Sequence, residues 1–259
     1  TTAAPAAFGF LAAPKPVTVD TAIFAGPIDR DAPSRNVFTI TGGDISLMDT
    51  EFDAPQGAIA VHGASAGATI TIPTLTSGGT NSLPGGNVSV VTQGQTQSTL
   101  DARNGGLIAI SGGDVRFDNA SLNATVAGNT GQSIEILGGN VTLTNTTVIS
   151  AGSEGRGVAP SVAITGTSSV VIENGTQVRS DITSDFAQPS DLTINGGAVT
   201  VRQSAFVQGL TSTAARGASI VVNADSLTID GGAVDLSLPD EERPFTGLQT
   251  ETNSDLPDA

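Results

Sequence analysis

Any chemistry in this chain would fall to its carboxylates and to one imidazole. Its 259 residues include 25 Asp and Glu and a single His, and no Cys, Tyr or Trp. The acids cluster as Asp49/Glu51/Asp53, Asp114/Asp118, Asp181/Asp185 and Asp240/Glu241/Glu242. Glycoside hydrolysis needs two carboxylates across a sugar ring. Asp49, Glu51 and Asp53, alternating along a strand and turn, are placed to share an outer face. A polygalacturonase-type site also needs Gly-His-Gly and Arg-x-Lys, but Val61 precedes His62-Gly63 and Lys15 is the only lysine. In so acidic a chain the clusters read as solvated turns. His62 reads as an exposed turn residue, since no second imidazole or thiol exists to build a zinc site. Gly-Gly-Asp at 42–44 and 112–114 falls short of the Gly-Gly-x-Gly-x-Asp calcium repeat. The Gly pairs join strand to strand, so no phosphate loop is present. The expectation is a protein without cofactor, metal or catalytic residues; the alternative is a polysaccharide-acting lyase or glycosidase.

The elements that would position such groups are written as repeats. Gly105–Val234 holds one pattern five times, starting at Leu107, Ser133, Ser161, Asp191 and Ser219. Val115, Val141, Val170, Val199 and Leu227 open the second halves, at separations of 26, 29, 29 and 28 residues. A fixed period of this size marks a repeat architecture. Ile134 and Ile136, then Val141 and Leu143, alternate with polar residues, which specifies strands with one buried face. Gly112-Gly113, Gly138-Gly139 and Gly196-Gly197 divide the halves, and Gly42-Gly43 divides an earlier match at Val37–Leu47. These glycines are expected to supply positive φ at a tight corner. A third apolar point follows at Leu122, Ile149, Val178, Val207 and Val234, and then a loop. One copy cannot bury its apolar side alone, but stacked copies can. A hairpin meander would not keep this period, and a leucine-rich horseshoe lacks its Leu-x-x-Leu-x-Leu run. The reading is all-β, a parallel β-helix with coils of about 26–29 residues. Like positions would stack about 4.8 Å apart, giving an internal column of Ile45, Val115, Val141, Val170, Val199 and Leu227.

Residues 1–36 depart from the repeat, with Pro5, Pro14, Pro16, Pro27 and Pro33, and read as a cap or first irregular coil containing one strand, Val17–Ile23. Residues 37–238 form the repeat region. The 70 residues from Ile45 to Val115 leave room for three coils of about 23, using Ala58–Val61 with Ala68–Ile72, and Asn87–Val91. Seven or eight coils make a rod on the order of 35–40 Å long. Residues 239–259 read as an acidic, Pro-containing tail. Aromatics are 3% of the chain, so the core must be Val, Ile, Leu and Ala, a poor lining for a deep aromatic pocket. A formal charge of −15 disfavours nucleic acid and anionic membrane surfaces. No apolar run reaches the 18 or so residues of a membrane span. Thr1–Pro5 lacks a basic region followed by an apolar stretch, so a signal peptide is expected upstream or already removed.

Ala4-Pro-Ala-Ala-Phe-Gly-Phe-Leu-Ala-Ala-Pro14, Phe38-Thr-Ile-Thr-Gly-Gly-Asp-Ile45 and Phe52-Asp-Ala-Pro-Gln-Gly-Ala-Ile-Ala-Val61 resemble the filamentous-haemagglutinin-like exoproteins of two-partner secretion. Leu143-Thr-Asn-Thr-Thr-Val-Ile-Ser150 is similar to that family's repeat. Thr2–Ala4 replaces the usual Asn-Pro lead, and Gln56-Gly57-Ala58 replaces Gly-Gly-Arg. The resemblance implies a right-handed β-helix, export through a partner pore, and an adhesin at the bacterial cell surface or secreted from it. The family's amino-terminal secretion signature is missing here, which reads the chain as an internal or processed piece. The loops at 123–132, 152–160, 183–190 and 211–218 would fall on one side and contact a glycan, a partner or a copy of the same chain, with Arg156 and Arg216 as their only bases. A further expectation is head-to-tail self-assembly through strand edges at the two ends.

Overall fold

The computed structural model describes residues 7–25, 36–71, 85–128, 131–212, 215–232 and 245–252. Among them every regular element is a β-strand and none is a helix. The chain travels in circuits with three sides. Before the first full circuit come β1 (Ala7–Gly9), β2 (Val17–Asp20) and β3 (Ile23–Ala25). The first circuit holds β4 (Val37–Gly42), β5 (Ile45–Met48) and β6 (Glu51–Asp53). The second holds β7 (Ala58–Gly63), β8 (Thr69–Thr71), β9 (Val88–Val91) and β10 (Ser98–Asp101). The third holds β11 (Leu107–Ser111), β12 (Asp114–Asp118) and β13 (Ala120–Asn123). In later circuits one long strand covers the first two sides and a short one the third. These are β14 (Ser133–Thr144) with β15 (Val148–Ser150), β16 (Ser161–Ile172) with β17 (Gln177–Ile182), β18 (Leu192–Arg202) with β19 (Phe206–Thr211), and β20 (Ile220–Asp230) with β21 (Gly247–Thr252).

Strands pair in parallel with their counterparts one circuit away. The third side is an eight-stranded sheet, β21-β19-β17-β15-β13-β10-β6-β3, and the first two sides share an eleven-stranded one. The strands form a nearly closed sheet that curls through 285°. Alternation of polar and apolar residues sends one face of each strand inward, and the register then stacks like on like. Val17, Ile45, Val88, Val115, Val141, Val170, Val199 and Leu227 form one inward column on the second side. Phe24, Phe52, Leu100, Leu122, Ile149, Val178, Val207 and Leu248 form another on the third. Between the ends these side chains join one continuous buried core. Each such residue gains about 1.5–3 kcal/mol from leaving water. Aromatic rings gather near the ends: Phe24 stacks on Phe52 at 4.6 Å and Phe38 meets Phe52 edge-on at 5.9 Å at one, and Phe206 lies 6.2 Å from Phe245 at the other.

Several expectations change. Ile45 pairs with Val88, and Val88 with Val115, so two circuits rather than three separate Ile45 from Val115. Off the stack, β8 pairs antiparallel with β1. Val17–Ile23 is two strands, because Thr21 turns the chain at φ 48°. Both β2 and β3 pair in parallel with the first circuit, so the stack begins before residue 37. It also reaches past 239, since β21 pairs with β19 along its whole length. Leu227 is 47% exposed and closes its column instead of joining the buried core, because no described strand covers β20. Val234 and the acids at 240–242 lie outside the described residues.

The corner glycines have a different physical reason from the expected one. Gly42, Gly43, Gly112, Gly113, Gly138, Gly139, Gly196 and Gly197 stand between the first and second sides, but none has positive φ. At Gly43, Gly112, Gly139 and Gly197 what excludes a side chain is the backbone packed against them. A Cβ on Gly43 would lie 2.6 Å from Pro14 O, and one on Gly139 would lie 2.9 Å from Gly113 O. The left-handed residues sit at the next corner, where Asp49, Asn119, Asn145, Asn174 and Gln203 take φ near 50–60°. Asp and Asn are the non-glycine residues that tolerate this conformation best.

Candidate functional site

The acids found in the sequence are mostly used up in holding circuits together. Asp49 Oδ1 accepts hydrogen bonds from the backbone N–H of Gln93 at 2.8 Å and of Gly94 at 3.0 Å, tying two circuits at a corner. Asp53 is buried and faces Arg103 at 3.5 Å, so Asp49, Glu51 and Asp53 do not share a free outer face. Asp114 Oδ1 accepts from Asn140 Nδ2 at 2.8 Å, and Asn140 Oδ1 accepts from Ser169 Oγ at 2.8 Å. Asn87 donates its backbone N–H to Asp44 and accepts from the N–H of Asp114 through Oδ1. The result is a polar ladder along one corner. Asp118 pairs with Arg116 at 2.6 Å and accepts from Asn145 Nδ2 at 2.8 Å.

His62 is not an exposed turn residue. It lies in β7, only 2% exposed, with Nδ1 2.8 Å from Ser111 Oγ on the next circuit. Both faces of β7 are buried, so this outward position is covered and its polar atoms must find partners inside the protein. Among the described residues no three His, Asp or Glu side chains gather to hold a metal ion.

Among the described residues, parallel bridges Val126–Ser153, Ser153–Ile182 and Val158–Gln188 join neighbouring circuits after the third side. Arg156 in one of them lies over the exposed ring of Phe186 in the next, 4.4 Å from its centroid, joining two loops by a cation–π contact. Arg216 lines a cavity of about 290 Å³ with Ser219, Thr250 and Glu251. Neither arginine reaches the larger groove on the third side, which has a volume of about 380 Å³.

That groove is built by register. Asp53, Asp101, Asn123, Ser150, Arg179, Gln208 and Gln249 form one outward column. Asn123, Ser150 and Arg179 from its middle line the groove beside Ser121 and Val148. Arg103 and Asn104 enter from the turn after β10, and Thr125 and Glu154 from the loops after β13 and β15. Arg103 is held by Asp101 at 2.8 Å and by Asp53. Arg179 lies 3.9 Å from Asp181, and the buried Nε atoms of both arginines make no hydrogen bond. Burial pushes the Asp181 carboxyl above its ordinary range, against the opposing pull of Arg179. Neighbouring acids thus offset the charge of both cations while planar donors remain along a floor of hydroxyls and an amide. Such a surface suits an uncharged, hydroxyl-rich ligand better than a polyanion.

Sequence reasoning did not select Arg103 or Arg179. The signal for Arg179 was present, because Asn123, Ser150 and Arg179 each follow the third apolar residue of their repeats, Leu122, Ile149 and Val178. No known family, no curated protein and no solved structure matches this chain.

Proposed function

We propose that this chain is a right-handed parallel β-helix displayed on or secreted from a bacterial cell, where it presents a repetitive surface for attachment and catalyses nothing. The β-helix reading is supported by eight inward positions in one parallel, in-register column, from Val17 to Leu227. Placement outside the cell rests on the resemblance of the Phe-Gly-Phe-Leu and Gly-Gly-Asp-Ile segments to the filamentous-haemagglutinin-like exoproteins. The observation that carries attachment is the groove, where Asn123, Ser150 and Arg179 stand at successive heights about 4.8 Å apart. That spacing is close to one sugar unit, and hydroxyl, amide and guanidinium groups are the donors that sugar hydroxyls meet. A glycan array with the wild-type chain and with Ser150→Trp, which fills the groove floor, tests this. The expected result is binding to a subset of neutral glycans that Ser150→Trp abolishes and that salt changes little. No binding to any glycan, or equal binding by the variant, overturns it.

One observation favours a second reading, a polysaccharide lyase or glycosidase. Glu154 lines the groove that Arg179 also lines, and Asp181, whose carboxyl is raised by burial, stands beside Arg179. Release of reducing ends from a bound polysaccharide, lost in Asp181→Asn, would establish this reading in place of the first.

A further inference from the structure

The two ends of the stack differ from everything between them. Inward side chains of interior circuits are buried, whereas Val17, Val19, Phe38 and Ile40 at one end and Ile220, Val222 and Leu248 at the other are only partly so. Leu227 and Ile229 are 47% and 48% exposed, the most open inward positions of the last circuit. β2, β3 and β4 are sheet-terminal strands at one end, and β20 and β21 at the other. Parallel edges that no other strand among the described residues pairs, above an apolar lumen, are templates for a further strand.

We propose that a second copy of this chain docks on these edges, its β2 pairing with the second half of β20 and its β3 with β21. Continuing the columns by one step sets Val17 on Leu227, Val19 on Ile229 and Phe24 on Leu248, apolar on apolar at every pair. The first side cannot close at the same time. β4 lies one circuit above β2 in chain order, so the docked copies leave a slot one strand wide between β4 and the first half of β20. The contact therefore seals two sides out of three, and each added copy advances the rod by eight strand spacings, about 38 Å. The same register brings Asp20 over Asp230, a like-charge contact between copies of a chain that carries a formal charge of −15. Association is therefore weak at low ionic strength and strengthened by salt. The contact is heterologous, so nothing in it stops at two copies, and open rods follow.

This inference rests on the β-helix reading but not on the attachment reading. The test is sedimentation velocity and negative-stain microscopy of the full chain across concentration, at low and high salt, with three variants. Leu227→Asp places a charge in the joint, Asp230→Asn removes the repulsion, and Ser89→Asp adds a charge on the side of the rod. The expected result is salt-promoted rods that lengthen in steps of about 38 Å. Leu227→Asp should weaken association roughly tenfold or more, Asp230→Asn should strengthen it, and Ser89→Asp should leave it unchanged. Circular dichroism confirms that each variant is folded. Monomeric rods under all conditions overturn the docking and leave the β-helix standing. Rods indifferent to Leu227→Asp overturn this joint, and compact particles overturn the β-helix as well.

Discussion

Val141→Ala and Leu227→Ala alter one column at its middle and at its end, and the stack predicts unequal costs. Val141 is fully buried between Val115 and Val170. Removing its two methyl groups forfeits about 1.6 kcal/mol of transfer energy at about 0.8 kcal/mol per carbon. A cavity term adds up to about 1 kcal/mol, because strands fixed by hydrogen bonds on both edges cannot collapse into the gap. The expected cost is therefore about 2–3 kcal/mol. Leu227 loses three carbons, but it is 47% exposed and leaves no enclosed void. Its expected cost is about 1.3 kcal/mol or less. Urea unfolding followed by circular dichroism measures the difference. Since a stack of repeats can unfold in parts, hydrogen exchange in β14 and β20 supplies the local readout. Equal costs at the two positions, or a cost below about 0.5 kcal/mol at Val141, would refute the column.

Two more perturbations address the corners and the groove. Gly86→Ala should destabilise by about 1–3 kcal/mol or more, because its Cβ would lie 2.0 Å from Gly43 O, whereas Gly231→Ala meets nothing within 4 Å and should leave the melting temperature unchanged. For Asp181 the folded carboxyl is raised above its unfolded value, first by desolvation and despite Arg179. Its contribution is thus fully present below the unfolded value near pH 4 and is lost as pH rises through the folded one. Asp181→Asn should accordingly melt higher relative to wild type at pH 7 than at pH 4, and the reverse ordering would contradict the shift.

How much of this was legible depends on whether an observation repeats. The column from Val115 to Leu227 could be read because its period survives substitution, even where Gly166-Thr167 replaces the Gly-Gly pair. Val88 was missed as the only step between Ile45 and Val115. β8 leaves the stack to pair with β1, and spacing alone cannot distinguish an excursion from another circuit. The glycine corners were found but misexplained, since composition does not reveal whether a missing Cβ serves φ or a neighbour's carbonyl. His62 was misplaced because burial of an outward position depends on what packs outside the strand. The groove arginines escaped notice because their meaning lies in the height order of Asn123, Ser150 and Arg179, which becomes visible only once the circuits are aligned.

Distance along the molecule counts circuits, not residues. The chain has no cysteine, so paired nitroxide labels can be placed at will. Ser46, Ser89, Arg116, Thr142, Val171 and Thr200 occupy one outward column. Pulsed electron–electron resonance on Ser89→Cys/Thr200→Cys and on Ser46→Cys/Thr200→Cys compares four circuits with five. The expected backbone separations are about 19 and 24 Å, a difference of one strand spacing across 43 residues of sequence. A difference of about 10 Å would restore the extra circuit, and distances unrelated to circuit number would contradict the stack itself.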